Sequence, residues 1–184
     1  HLGYAEITYY AGDNDLNLDP FIDTLHNLVI VPSSDKAFVS DVVSRLNTLK
    51  NDHQITLFGH PRLINYDNIE IKFLHHLNTH VFNLNYIDYN KIEIQDFVYK
   101  FRKFFEKEPQ KYGFYGFDIS HYFLHAYQLY GKKFYCCLDQ YYPDLLQMDF
   151  NFQQTNPSAG FINNKMLILN FQRNYLLRPI KAKP

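Results

Sequence analysis

A chain of 184 residues with 46% hydrophobic and 20% charged side chains has apolar surface enough for one good-sized core, which excludes a disordered chain. A formal net charge of -1, with Lys and Arg scattered, argues against the basic face of a nucleic-acid binder. No apolar run approaches the roughly 20 residues that a membrane-spanning helix needs.

Aromatic residues are abundant, with Tyr 16, Phe 17 and no Trp. They suggest thick packing between helices and a sheet, and an aromatic-lined cleft. The chain opens at His1 without a Met or a signal peptide and is read as a mature or truncated product. Cys136 and Cys137 are neighbours. Adjacent cysteines bridge only with strain, so they are read as two small apolar residues.

In chain order, residues 5–10 (AEITYY) predict a strand and AGDNDLNLD a loop. Pro20 opens a short helix, PFIDTLH. The run Leu28 to Val31 predicts a strand buried on both faces, and Ser33, Ser34 and Asp35 suit a helix N-cap. Phe38, Val42, Val43, Leu46 and Leu49 then give helical periodicity over 37–49. QITLFG, 54–59, predicts a second buried strand, ended by Gly59-His60-Pro61. A helix around Ile69–Leu77 leads to a strand over 80–86.

Residues 93–107 predict an amphipathic helix with Phe97, Phe101, Phe104 and Phe105 on its apolar side, broken by EPQKYG. The next helix is predicted from Asp118 to Tyr130, with Gly131 as its terminator. A short helix is favoured near the end of KKFYCCLDQYYPDLLQ. Residues 148–154 and 165–173, joined by a turn at NPSAG, predict a terminal antiparallel hairpin. The alternation of strands and helices in the first part implies right-handed βαβ units. The expected fold class is α/β: a parallel sheet with helices on both faces, plus a C-terminal β-hairpin. It forms a single domain over 1–184, with a core over 1–131 and an extension over 132–184.

Asp118, His121 and His125 lie at i, i+3 and i+7, a spacing that puts them on one helix face. Gln128 and Lys132 continue that stripe, which reads better as a solvated face than as ligands. Asp118 has a sufficient role as an N-cap or first-turn anion. His75, His76 and His80, with His60 upstream, form a second cluster, the sharper alternative for an imidazole-bound metal. The chain has no G-x-S-x-G, no P-loop and no G-x-G-x-x-G. No catalytic residue, metal or cofactor is assigned. Ligands of parallel α/β sheets bind beyond the carboxyl ends of the strands. Here those ends are Tyr9-Tyr10, Pro32-Ser33-Ser34, Gly59-His60-Pro61-Arg62 and Tyr86. They read equally as the lining for a small polar, anionic ligand and as ordinary loops with capping hydroxyls.

NLVIVPSSDKAFVSDVVSRLNTL, followed by ITLFGHP, resembles a strand–loop–helix and the next ligand-facing loop of type I periplasmic binding proteins, the branched-chain amino-acid receptor family. The Phe-rich helix, Pro109 and the start Gly116-Phe117-Asp118 resemble a recurring segment of that family, which usually has Gly-Tyr-Asp there. The resemblance covers roughly residues 5–131. The richness in Tyr, Asn, Lys and Ile is similar to envelope proteins of Bacteroidetes in which such a domain can follow peptidoglycan-binding LysM modules.

The resemblance implies one lobe of a two-lobed, non-catalytic solute-binding domain in the periplasm or cell envelope. Ser33, Ser34, His60, Pro61 and Arg62 would then meet a small polar ligand such as an amino acid or peptide, and peptidoglycan would be met through other domains of the parent. Two alternatives stand beside it. One is a structural or protein-interaction envelope module that has lost its ligand. The other is a metal-dependent hydrolase using the His clusters.

Overall fold

The computed structural model describes residues 21–22, 24–83, 86–156 and 159–180. The strand expected over 5–10, with Tyr9-Tyr10, lies outside them. The fold is mixed α/β, and the chain divides into two compact units. One comprises the described residues up to Phe82 and from Ile168 onward; the other runs from Asn83 to Leu167. The division expected between residues 131 and 132 falls inside the second unit, where a helix passes directly into a 3-10 segment.

In the first unit, β1 (His26–Val31), α1 (Lys36–Leu49), β2 (Gln54–Gly59), α2 (Ile71–His76) and β3 (His80–Phe82) follow in order. A 3-10 turn over Pro61–Asn65 precedes α2. β1, β2 and β3 pair in parallel, with Val31 opposite Gly59 and Phe58 opposite His80. The short helix expected from Pro20 is replaced, among its described residues, by non-helical chain. The cause is local: the Asn27 amide donates to the carbonyls of Ile22, Leu25 and Gln54, and its oxygen accepts from Ile22 N–H. An amide side chain competing for backbone groups in this way disfavours a helix.

α1 forms because Val39, Val42, Val43 and Leu46 recur at i, i+3, i+4 and i+7 and are all buried. Of the three candidate caps, Asp35 is the one used; its carboxylate accepts from Phe38 N–H at 2.9 Å. α1 and α2 touch each other. The strand order β1-β2-β3 follows the chain, and right-handed crossovers then put both helices on one face. That face carries Val29, Val31, Ile55, Leu57, Val81 and Leu169 and holds the core with Leu46, Leu63, Leu74 and Leu77. Within this unit α1 and α2 therefore share one face of the sheet. The expectation of β1 as a doubly buried strand is corrected, since Leu28 is 59% and Ile30 63% exposed on the opposite face.

β6 (Ile168–Phe171) pairs antiparallel with β3, and β7 (Leu177–Ile180) pairs antiparallel with β6. The five-stranded sheet is therefore mixed, in the order β1-β2-β3-β6-β7, rather than purely parallel. The terminal hairpin expected between 148–154 and 165–173 also changes partners. β4 (Phe152–Gln154) pairs with β5 (Phe161–Asn163) as a separate two-stranded antiparallel sheet in the second unit. β6 is left to complete the main sheet.

The second unit is built on α3 (Ile92–Phe105) and α4 (Lys111–Tyr130), then a 3-10 segment over Gly131–Gln140, with no helix beyond it up to Met148. α3 ends at Glu106, whose left-handed backbone (φ 55) turns its N–H onto the Arg102 carbonyl. α4 starts seven residues earlier than expected. Its buried side chains, Phe114, Asp118, Tyr122 and Ala126, recur every four residues along one stripe. Phe114 packs with Ile94 and Val98. Tyr122 and Ala126 pack with Leu138, Tyr141 and Phe150. Gly131 (φ 67) closes the helix through its N–H to the Tyr127 carbonyl, as its position predicted. Among the described residues no helix is long and apolar enough to cross a membrane.

Candidate functional site

The loops after β1 and β2 leave the sheet at one edge, because Val31 and Gly59 are register partners at the carboxyl ends of parallel strands. Tyr66 Oη donates to the Ser34 carbonyl at 2.8 Å, and the Lys36 ammonium pairs with Asp67. Both contacts tie the β1–α1 loop to the chain following β2. The Lys36 ammonium, through its hydrogen bond and its charge, holds the Asp67 carboxyl below the usual carboxylate range. No sequence pattern announces these ties, since the partners are about 30 residues apart in chain.

The five expected ligand residues are Ser33, Ser34, His60, Pro61 and Arg62, and all belong to these two loops. Ser33 Oγ accepts from Asp35 N–H at 3.1 Å, shaping the turn before the α1 cap. Its hydroxyl proton is not consumed by that bond. Ser34 is exposed, with its carbonyl engaged by Tyr66. His60 Nδ1 accepts from Arg62 N–H at 3.2 Å and so caps the 3-10 turn that Pro61 opens. A neutral His60 holding that bond carries its proton on Nε2, which makes Nε2 a donor. Pro61 and Arg62 are exposed. At Gly59, at the base of the second loop, a Cβ would lie 2.5 Å from Leu63 Cδ2, so a larger residue there would displace that buried side chain.

The edge therefore offers two hydroxyls, an imidazole N–H and a guanidinium, on loops each held by a cap. Ligand crevices of doubly wound sheets form where the strand order reverses. β1, β2 and β3 are in sequential order, so any ligand here rests on the loops themselves.

The two histidine-bearing constellations do not converge. His75 is buried, with Nδ1 2.7 Å from the Gln172 carbonyl and its ring edge-on to Phe171. His76 Nδ1 lies 2.7 Å from Asn47 Oδ1. His80 Nε2 lies 2.7 Å from the Asn170 amide nitrogen, in a polar chain running His26, Thr56, Asn78, Asn170, His80. Burial lowers the His80 pKa, opposed by the Asn78 backbone. On α4, His121 is exposed and stacks between Phe117 and His125. His125 Nδ1 meets Tyr141 Oη at 2.6 Å. Burial, then the Tyr130 phenol, raises the Tyr141 pKa.

Asp118 corrects the reading of that stripe. It stands in the second turn of α4 and is fully buried. Its two oxygens accept from the N–H groups of Leu146, Gln147 and Met148, each at 2.8 Å. It is neither a solvated anion nor an N-cap; it anchors the 146–148 segment. Among the described residues no three of the His, Cys, Asp and Glu side chains are grouped to hold a metal ion.

No family model, no curated protein and no solved structure matches the chain.

Proposed function

We propose that this chain is a non-catalytic small-ligand-binding domain of a bacterial cell-envelope protein, built like one lobe of a type I periplasmic binding protein. The observation that carries the reading is the tying of the β1–α1 and post-β2 loops by Tyr66 and Ser34 at the carboxyl edge of parallel strands. Ser33, Ser34, His60 and Arg62 stand on those loops, and Pro61 fixes the turn that positions His60 and Arg62. The set suits a small polar ligand with a carboxylate: hydroxyls and the imidazole N–H donate, and the guanidinium takes the charge. The ligand is an amino acid or short peptide, gripped against a further surface by hinge closure. Calorimetric titration of the protein with amino acids, short peptides and wall fragments tests this. The expected result is saturable heat that Arg62→Ala weakens about tenfold, the loss of one charge-assisted contact. Silence toward every member of the panel overturns the reading.

A second reading, an interaction module without a small ligand, is favoured by Leu28 and Ile30, apolar and largely exposed on the β1 side of the sheet face opposite α1 and α2. It expects calorimetric silence, together with a change in self-association on Ile30→Lys, measured by sedimentation. The metal-hydrolase reading draws no support from the separated histidines.

A further inference from the structure

The opposite, amino edge of the same sheet holds a cleft that the proposed ligand loops do not touch. α1 ends at Lys50, and a tight turn through Asp52 and His53 feeds β2 at Gln54. His76 closes α2 beside it. β6 runs antiparallel to β3, so its last residues reach this edge, and the turn after it delivers Arg173. Lys50, Asp52, His53, His76 and Arg173 together line a cleft of about 370 Å³.

Two cations, Lys50 and Arg173, and one carboxylate, Asp52, line this cleft, an excess of one positive charge. Lys50 Nζ donates to the Ile55 carbonyl at 2.6 Å and stands at the negative end of α1, which accounts for one cation. Arg173 has no hydrogen bond or ion pair among the described residues, although Asp52 lines the same cleft. Yet Arg173 acts on Lys50: burial first, and then the Arg173 charge, pushes the Lys50 ammonium below the usual lysine range. Two cations held within reach of each other repel, and one of them is partly dehydrated. An anion seated between them removes the repulsion and uses both groups as donors.

We propose that this cleft binds a small dianionic oxyanion of the phosphate or phosphate-ester class, with Lys50 and Arg173 as its charge partners and the His53 and His76 rings completing the wall. The site is independent of the carboxyl-edge loops and does not rest on the function proposed for them.

Thermal-shift and calorimetric titrations of the whole chain with inorganic phosphate, succinate and chloride at matched ionic strength test it. Saturable stabilisation by phosphate is expected, absent with chloride and weaker with succinate. Arg173→Met, at an exposed position, should weaken phosphate about tenfold, whereas Arg62→Ala should leave it unchanged. Phosphate should also raise the Lys50 pKa followed by NMR of its ε-carbon, a readout that needs no variant to fold. Equal phosphate binding by wild type and Arg173→Met overturns the proposal. So does a preference for succinate, or a Lys50 titration that phosphate does not move.

Discussion

Asp118 is a fully buried carboxylate in the middle of a helix. A carboxylate is costly to bury, and here three backbone N–H groups offset that cost. The same bonds hold Leu146 and Met148 where they reach the two apolar clusters of the second unit. Asp118→Asn keeps the shape and removes one acceptor oxygen, turning an amide NH₂ toward donors. Unfolding in urea should show a loss of about 2–4 kcal/mol, the cost of buried donors left unpaired against a charged acceptor. Asp118→Ala should cost at least as much. If Asp118→Asn unfolds at the wild-type midpoint, the anchoring role is wrong. The clue was in the sequence but on another stripe: Phe114, Asp118, Tyr122 and Ala126 share one face at a spacing of four. Starting the helical wheel at Asp118 hides that pattern, because the polar residues at 121, 125 and 128 then dominate it.

Helix α4 shows why its start was hard to place. Gly113 and Gly116 are poor helix formers and read as breakers, yet both are inside the helix. They are there for different reasons. A Cβ on Gly113 would lie 3.3 Å from Phe101 Cε2, so α3 packs close at that point. A Cβ on Gly116 would meet nothing within 4 Å. Gly116→Ala should therefore stabilise the protein by about 0.5–1 kcal/mol through helix propensity and a less flexible unfolded chain. Gly113→Ala should show a smaller gain or a loss. Circular-dichroism melts of the two variants check the contrast, and equal shifts would refute it. Local patterns carried α1 and β2 well, because the burial of α1 follows the helical period and β2 is a continuous apolar run buried along almost its whole length. They did not carry partner choice. Phe152 pairs with Asn163 and Leu169 with Val81, contacts decided by which segments meet in the fold. Nor did they reveal that β1 is covered on one face only, since an apolar β-branched run looks the same in either case. At the expected ligand loops, the residue types were legible from cap and turn chemistry. The ties through Tyr66 and Lys36 were not, because nothing local marks a contact across 30 residues.

At the scale of the molecule, the sheet face opposite α1 and α2 in the first unit carries a hydrogen-bonded polar chain, with Thr56 and Asn170 buried, that makes stability depend on pH. Asn170 uses its amide hydrogens on Asn78 Oδ1 and His80 Nε2, so a neutral His80 accepts at Nε2. A charged His80 would turn a proton toward that amide donor, in a partly dry site. Its folded pKa is accordingly below the ordinary 6.5, with burial as the main cause. Among the described residues, the ionisable neighbours on this face are His26, reached through Thr56, and Arg178, the register partner of Asn170. The unfolded chain therefore binds the His80 proton more readily than the folded one, and the difference in protons bound is positive between the two pKa values. This contribution is fully present above the unfolded value, is lost as pH falls through 6.5, and levels off below the folded value. Urea unfolding from pH 8 to pH 5 should show that decline, and His80→Gln, which stays neutral and can accept from Asn170, should have a shallower one. If wild type and His80→Gln lose stability in parallel over that range, the pH dependence lies in other groups and the polar chain is not its source.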